Sequence, residues 1–68
     1  MVTVSARDKF EKGMRVTLSD RGAARLKKYS PDTMGTVVGF SRSPDCVRIV
    51  RDGHVTPDAY HMNFWEPA

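Results

Sequence analysis

Met34-Gly35-Thr36-Val37-Val38-Gly39-Phe40, then Ser41-Arg42-Ser43-Pro44-Asp45, then Cys46-Val47-Arg48-Ile49-Val50-Arg51: this stretch decides the fold. In the last of the three runs, Val47 and Ile49 alternate with Arg48, giving one apolar and one polar face, the period-two pattern of a half-buried strand. The middle run, built from serines, a proline and an aspartate, reads as a turn. The first run is a β-branched strand in which Gly35 and Gly39 share one face. Glycine inside a strand marks a bulge, a bend or a close backbone approach, which a tightly curled sheet requires.

Toward the N-terminus, Met14-Arg15-Val16-Thr17-Leu18 alternates in the same way and predicts a strand with Val16 and Leu18 inward. Ser19 offers an N-cap oxygen, and Asp20 puts a carboxylate in the first helical turn. Ala23 to Lys28 are good helix formers, so a short helix is expected from about Asp20 to Lys27, weakened by Gly22 and ended by Ser30-Pro31. Residues 1–12 are polar and read as a flexible N-terminal segment with Phe10 as a first anchor, leaving 13–68 as the folded domain. Toward the C-terminus, Asp52-Gly53 predicts a two-residue type I′ hairpin. A fourth strand is expected from His54 to about Tyr60, compromised by Pro57. Met62 to Pro67 reads as a turn and a short closing strand. The fold expected is all-β with one short helix: a small, partly closed antiparallel barrel of about five strands.

At 68 residues, a domain buries only about 60% of the surface its unfolded chain exposes. No second lobe can close over a large substrate. The single Cys46 cannot form an internal disulfide and fits a reducing compartment. No run of apolar residues is long enough to span a bilayer, and the opening Met-Val-Thr-Val-Ser-Ala-Arg-Asp lacks the layout of a secretion signal, so a cytoplasmic protein without a membrane partner is expected. Charge is uneven along the chain. Residues 1–51 hold all eleven Lys and Arg against five acids, leaving +6, while residues 52–68 hold three acids and no Lys or Arg, leaving −3. Such a chain can turn a basic face toward an acidic partner.

Gly13-Met14-Arg15-Val16-Thr17-Leu18 followed by Gly35-Thr36-Val37-Val38-Gly39-Phe40 resembles the KOW-type SH3-like barrels of ribosomal proteins and transcription elongation factors. Gly13, Val16, Leu18, Gly35 and Val37 fit that pattern. Asp32 stands where the family has an earlier glycine, and the connecting loop is enlarged to carry the expected helix. The layout, with the aromatic-rich end Asn63-Phe64-Trp65-Glu66-Pro67, also looks like small barrel proteins of phages and prophages. The resemblance implies an SH3-like barrel that contacts RNA or DNA or docks on a nucleoprotein complex.

Binding of this kind needs cations for phosphates and a ring on which a base can stack. Arg15 and Arg48 are expected on the outer face of the sheet with Arg42 in the adjacent turn, while Arg25, Lys27 and Lys28 extend the positive field. Tyr60 is the expected stacking ring. Trp65 is read as a core cap whose indole N–H finds a carbonyl, and Phe10, Phe40 and Phe64 as core residues. The basic run Arg21 to Lys28 is also readable as a solvated helix face. Single strands are favoured, because nothing resembles a recognition helix. Cys46, His54 and His61 match no zinc spacing, so no metal or other cofactor is expected. No shielded nucleophile–base pair is evident, so the chain is not expected to be an enzyme. The competing reading is a protein-binding adaptor or inhibitor, directed at a host protein, that acts through a sheet edge or an apolar patch of Tyr60, Met62 and Trp65. Either form would be a monomer or a weak dimer.

Overall fold

The computed structural model describes residues 5–68. In chain order the elements are helix α1 (Ala6–Lys9), strand β1 (Arg15–Leu18), helix α2 (Asp20–Arg25), strands β2 (Met34–Phe40), β3 (Cys46–Arg51) and β4 (Asp58–His61), a 3₁₀ turn (Met62–Phe64) and strand β5 (Trp65–Pro67). The strands form one antiparallel sheet in the order β4-β3-β2-β1-β5. Its two end strands are not paired to each other, so the sheet stays open, consistent with the partly closed small barrel expected.

β2 and β3 occupy the ranges expected, β2 from its β-branched run and β3 from its alternation. Val37 faces Ile49, but the next pair is Gly39 with Arg48, which leaves Val38 as the extra residue of a β-bulge. A bulge bends its strand and increases the local twist. Gly35 serves a different need: a Cβ there would stand 2.6 Å from Ile49 Cγ2 and 2.8 Å from the Val50 carbonyl. β1 joins the two ends of the fold. Thr17 pairs with Met34 on one side and with Glu66 on the other.

The core consists of Ala6, Phe10, Val16, Leu18, Val37, Val47, Ile49, Tyr60 and Trp65. Five of these are the inward residues of the alternating strands. Burial of each Val, Leu, Ile or Phe side chain contributes about 1.5–3 kcal/mol. Phe10, 1% exposed, therefore matters as much as any strand residue.

Four features differ from the sequence reading. There are two short helices rather than one. Residues 1–4 of the stretch read as flexible lie outside the described residues, and within the remainder Ala6 and Phe10 are buried while Arg7, Asp8, Glu11 and Lys12 are exposed. Ala6 N–H donates to the Pro44 carbonyl at 2.7 Å, and Asp8 accepts from the Ser5 N–H and hydroxyl, both at 3.0 Å. The Asp52-Gly53 turn is not type I′. Gly53 has φ +85°, but no non-glycine among the described residues has positive φ, and His54 N–H closes the turn onto the Arg51 carbonyl at 3.0 Å. Asp52 is held otherwise: its N–H donates to the Met34 carbonyl at 2.9 Å, and its carboxylate accepts a bidentate pair of bonds from Arg15. Finally, β4 begins only at Asp58, after Pro57, which has no N–H to give a ladder. Val55 in the intervening loop is 93% exposed.

Candidate functional site

α2 starts at Ser19, whose hydroxyl oxygen accepts from Gly22 N–H at 3.1 Å, the N-cap bond read from the sequence. The same hydroxyl donates to the Asn63 carbonyl at 2.5 Å, and Ser19 N–H donates to the Phe64 carbonyl at 2.9 Å. Ser19 thus clamps the helix to the 3₁₀ turn. Gly22 completes the contact, since a Cβ there would collide with the Phe64 carbonyl oxygen and lie 2.8 Å from its carbon.

This docking opens a groove between α2 and the β4–3₁₀ segment. Arg21 and Arg25, four residues apart and so on one helix face, line a cavity of about 590 Å³ together with His61 and Phe64. A second cavity of about 440 Å³ shares His61 and Phe64 and continues past Lys28, Tyr29 and Asp58 to Tyr60. The two form one depression with two lobes. His61 Nδ1 accepts from Asn63 N–H at 3.1 Å, which assigns the ring proton of the neutral imidazole to Nε2. The His61 and Phe64 rings are tilted at 5.8 Å between centroids. Behind the second lobe's lining, the Arg51 guanidinium lies 4.2 Å from the centroid of the Tyr29 ring, and the hydroxyls of Tyr29 and Tyr60 are 3.5 Å apart.

The residues singled out from the sequence separate into two groups. Arg15 and Arg48 project from the solvent face of the sheet, where their neighbours in the chain point into the core, and exposed Arg42 lies in the β2–β3 connection. Arg25, Lys27 and Lys28 lie at and beyond the end of α2, on the side where Leu26, Tyr29 and Phe64 pack against the core. No single basic face gathers all six cations. Arg15 is further removed by its bonds to Asp52, at 2.8 and 2.6 Å, and to the Thr36 hydroxyl, at 2.9 Å. The guanidinium holds the Asp52 carboxyl below its ordinary pKa. This is the only ion pair among the described residues, so Arg21, Arg25 and Lys28 have no carboxylate within 4.0 Å.

Tyr60 corrects the expectation of a stacking ring. It is 8% exposed and packs edge-on against Trp65 at 5.3 Å. Burial, reinforced by the Tyr29 hydroxyl, pushes its pKa up to about 12. Trp65 is a core residue as read, 0% exposed, but its indole N–H has no protein acceptor. With Tyr60 and Trp65 both buried, the apolar patch proposed for an adaptor does not exist as an exposed surface.

The sequence did not single out Arg21, Tyr29, His61 or Phe64 as site residues: Arg21 was read within the basic run of α2, His61 was set aside as a metal ligand and Phe64 was placed in the core. Arg21 was legible as the i−4 partner of Arg25. The other three take their places through contacts distant in sequence. Among the described residues, no group of three or more His, Cys, Asp or Glu side chains could hold a metal, and no helix is long and apolar enough to cross a membrane. Comparison with known proteins returns no match to a family model, to a curated protein or to a solved structure.

Proposed function

We propose that this chain is a small, non-catalytic nucleic-acid-binding module that holds a single strand, free or within a nucleoprotein complex, in the groove between α2 and the 3₁₀ turn. One observation carries the reading: three cations without carboxylate partners, Arg21, Arg25 and Lys28, converge on a depression that also contains Phe64 and His61. Cations neutralise phosphates and displace counterions, and a neighbouring ring supplies a stacking surface without regard to sequence. The resemblance to KOW-type barrels points the same way by analogy. In this reading the protein works in the cytoplasm as a monomer or a weak dimer, and its likeness to phage proteins bears on origin. Arg42 and Arg48, which line neither lobe, lengthen the electrostatic field without touching the bound strand.

Titration of labelled single strands at two salt concentrations tests this. Affinity should fall with a logarithmic slope of about −0.7 for each phosphate engaged. The double variant Arg21→Ala/Arg25→Ala should lose on the order of a decade in affinity at low salt, while Arg42→Ala/Arg48→Ala loses less. Equal affinity for wild type and the groove variant would reject the assignment. Partners captured from a host lysate that survive nuclease treatment would favour the protein-docking reading instead, through the short free edges of β4 and β5.

A further inference from the structure

We infer that the second lobe of the groove selects guanine, a deepening that rests on the nucleic-acid reading above. The lobe places two side chains of opposite hydrogen-bonding character around one cavity of about 440 Å³: Asp58 from β4 and Lys28 from beyond α2. They form no ion pair with each other, and the Lys28 ammonium stands 5.4 Å from the centroid of the Tyr29 ring in the wall of the same lobe, a contact that leaves its N–H donors without a carboxylate. A carboxylate only accepts hydrogen bonds and an ammonium only donates them. Guanine's pairing edge offers two adjacent donors, N1–H and the N2 amino group, followed by the O6 acceptor. The two donors match the two oxygens of Asp58, and O6 matches Lys28. Paired parallel N–H bonds to a carboxylate are both stronger and geometrically more selective than single ones.

The other bases fit less well. Adenine presents an amino group where O6 would meet Lys28. Uracil and thymine flank their one N–H with two carbonyls, which a carboxylate repels. Cytosine offers a single amino donor. Phe64, half-buried and common to both lobes, provides the ring against which the base lies, while Arg21 and Arg25 in the first lobe take its flanking phosphate.

The test uses short oligouridine strands carrying one central guanine, adenine, cytosine or inosine, titrated by fluorescence anisotropy against wild type and Asp58→Asn. The guanine strand should bind about tenfold more tightly than the adenine strand, with inosine between them because it lacks the N2 amino group. Asp58 is exposed on an edge strand, and an unchanged thermal transition verifies that Asp58→Asn folds. The variant should lose the guanine advantage while binding the other strands as well as wild type or better, because one negative charge has gone. Equal affinity for all four strands, still dependent on Arg21 and Arg25, overturns the guanine assignment and leaves the nucleic-acid reading standing. A preference for cytosine, or a guanine preference that persists in Asp58→Asn, overturns it as well. Absence of binding to every strand overturns both.

Discussion

Tyr60 shows what one position in a small sheet can be made to do. Its ring fills the core beside Trp65, and its hydroxyl reaches the Tyr29 hydroxyl at the wall of the groove. Burial disfavours the phenolate, so the folded state binds the phenolic proton more tightly than the unfolded chain does. Stability from this group is therefore complete below pH 10, the ordinary tyrosine value, and declines as pH rises toward about 12. The chain has two tyrosines. A spectrophotometric titration should show Tyr60 ionising late and together with alkaline unfolding, and Tyr60→Phe should remove that late step. The inward direction of Val16, Leu18, Val47 and Ile49 was legible because each alternates with a polar neighbour. Tyr60 was not, because the loop before it carries Thr56 and Pro57, which break the alternation that would have fixed its side.

At the level of elements, the β2–β3 hairpin could be read to the residue, since its order comes from local pattern and a five-residue turn. α1 could not. Four residues are too few to show a helical period, and α1 is held by tertiary burial of Ala6 and Phe10 rather than by propensity. The site was hidden for a related reason. Its two walls meet through Ser19 and Asn63, which are 44 positions apart. Gly22 looks in the sequence like a weak point of α2, yet the contact with the Phe64 backbone makes it a requirement. Gly22→Ala should raise intrinsic helix propensity and still destabilise the fold, by about 1–3 kcal/mol for overpacking against an unyielding backbone. A lower denaturant midpoint at constant slope checks this. An increase in stability would mean that α2 does not rest on the 3₁₀ turn as described.

For the whole molecule, the separation of charge along the chain does not survive folding as a separation in space. The positive helix α2 lies beside β4 and the 3₁₀ turn, which belong to the acidic last part of the sequence, and this mixing is what puts Asp58 and Lys28 around one cavity. The core that supports the arrangement is small. Truncating Phe10 to Ala should cost about 3–5 kcal/mol. Domains of modest size have total stabilities of about 5–15 kcal/mol, so the variant should be largely unfolded or close to it at physiological temperature. Loss of dispersion in an amide proton spectrum would report this. A Phe10→Ala variant as stable as wild type would show that the segment around α1 does not belong to the core.

β5 pairs with β1 and delivers Trp65 to the centre of the molecule, so the earliest strand waits for the latest. Contacts of such long range form slowly. During synthesis, β1 and α2 emerge from the ribosome well before Phe64 and Trp65. A nascent chain therefore displays its basic helix without the wall opposite it, and the cleft between α2 and the 3₁₀ turn closes up only after Asn63 and Phe64 have been synthesised.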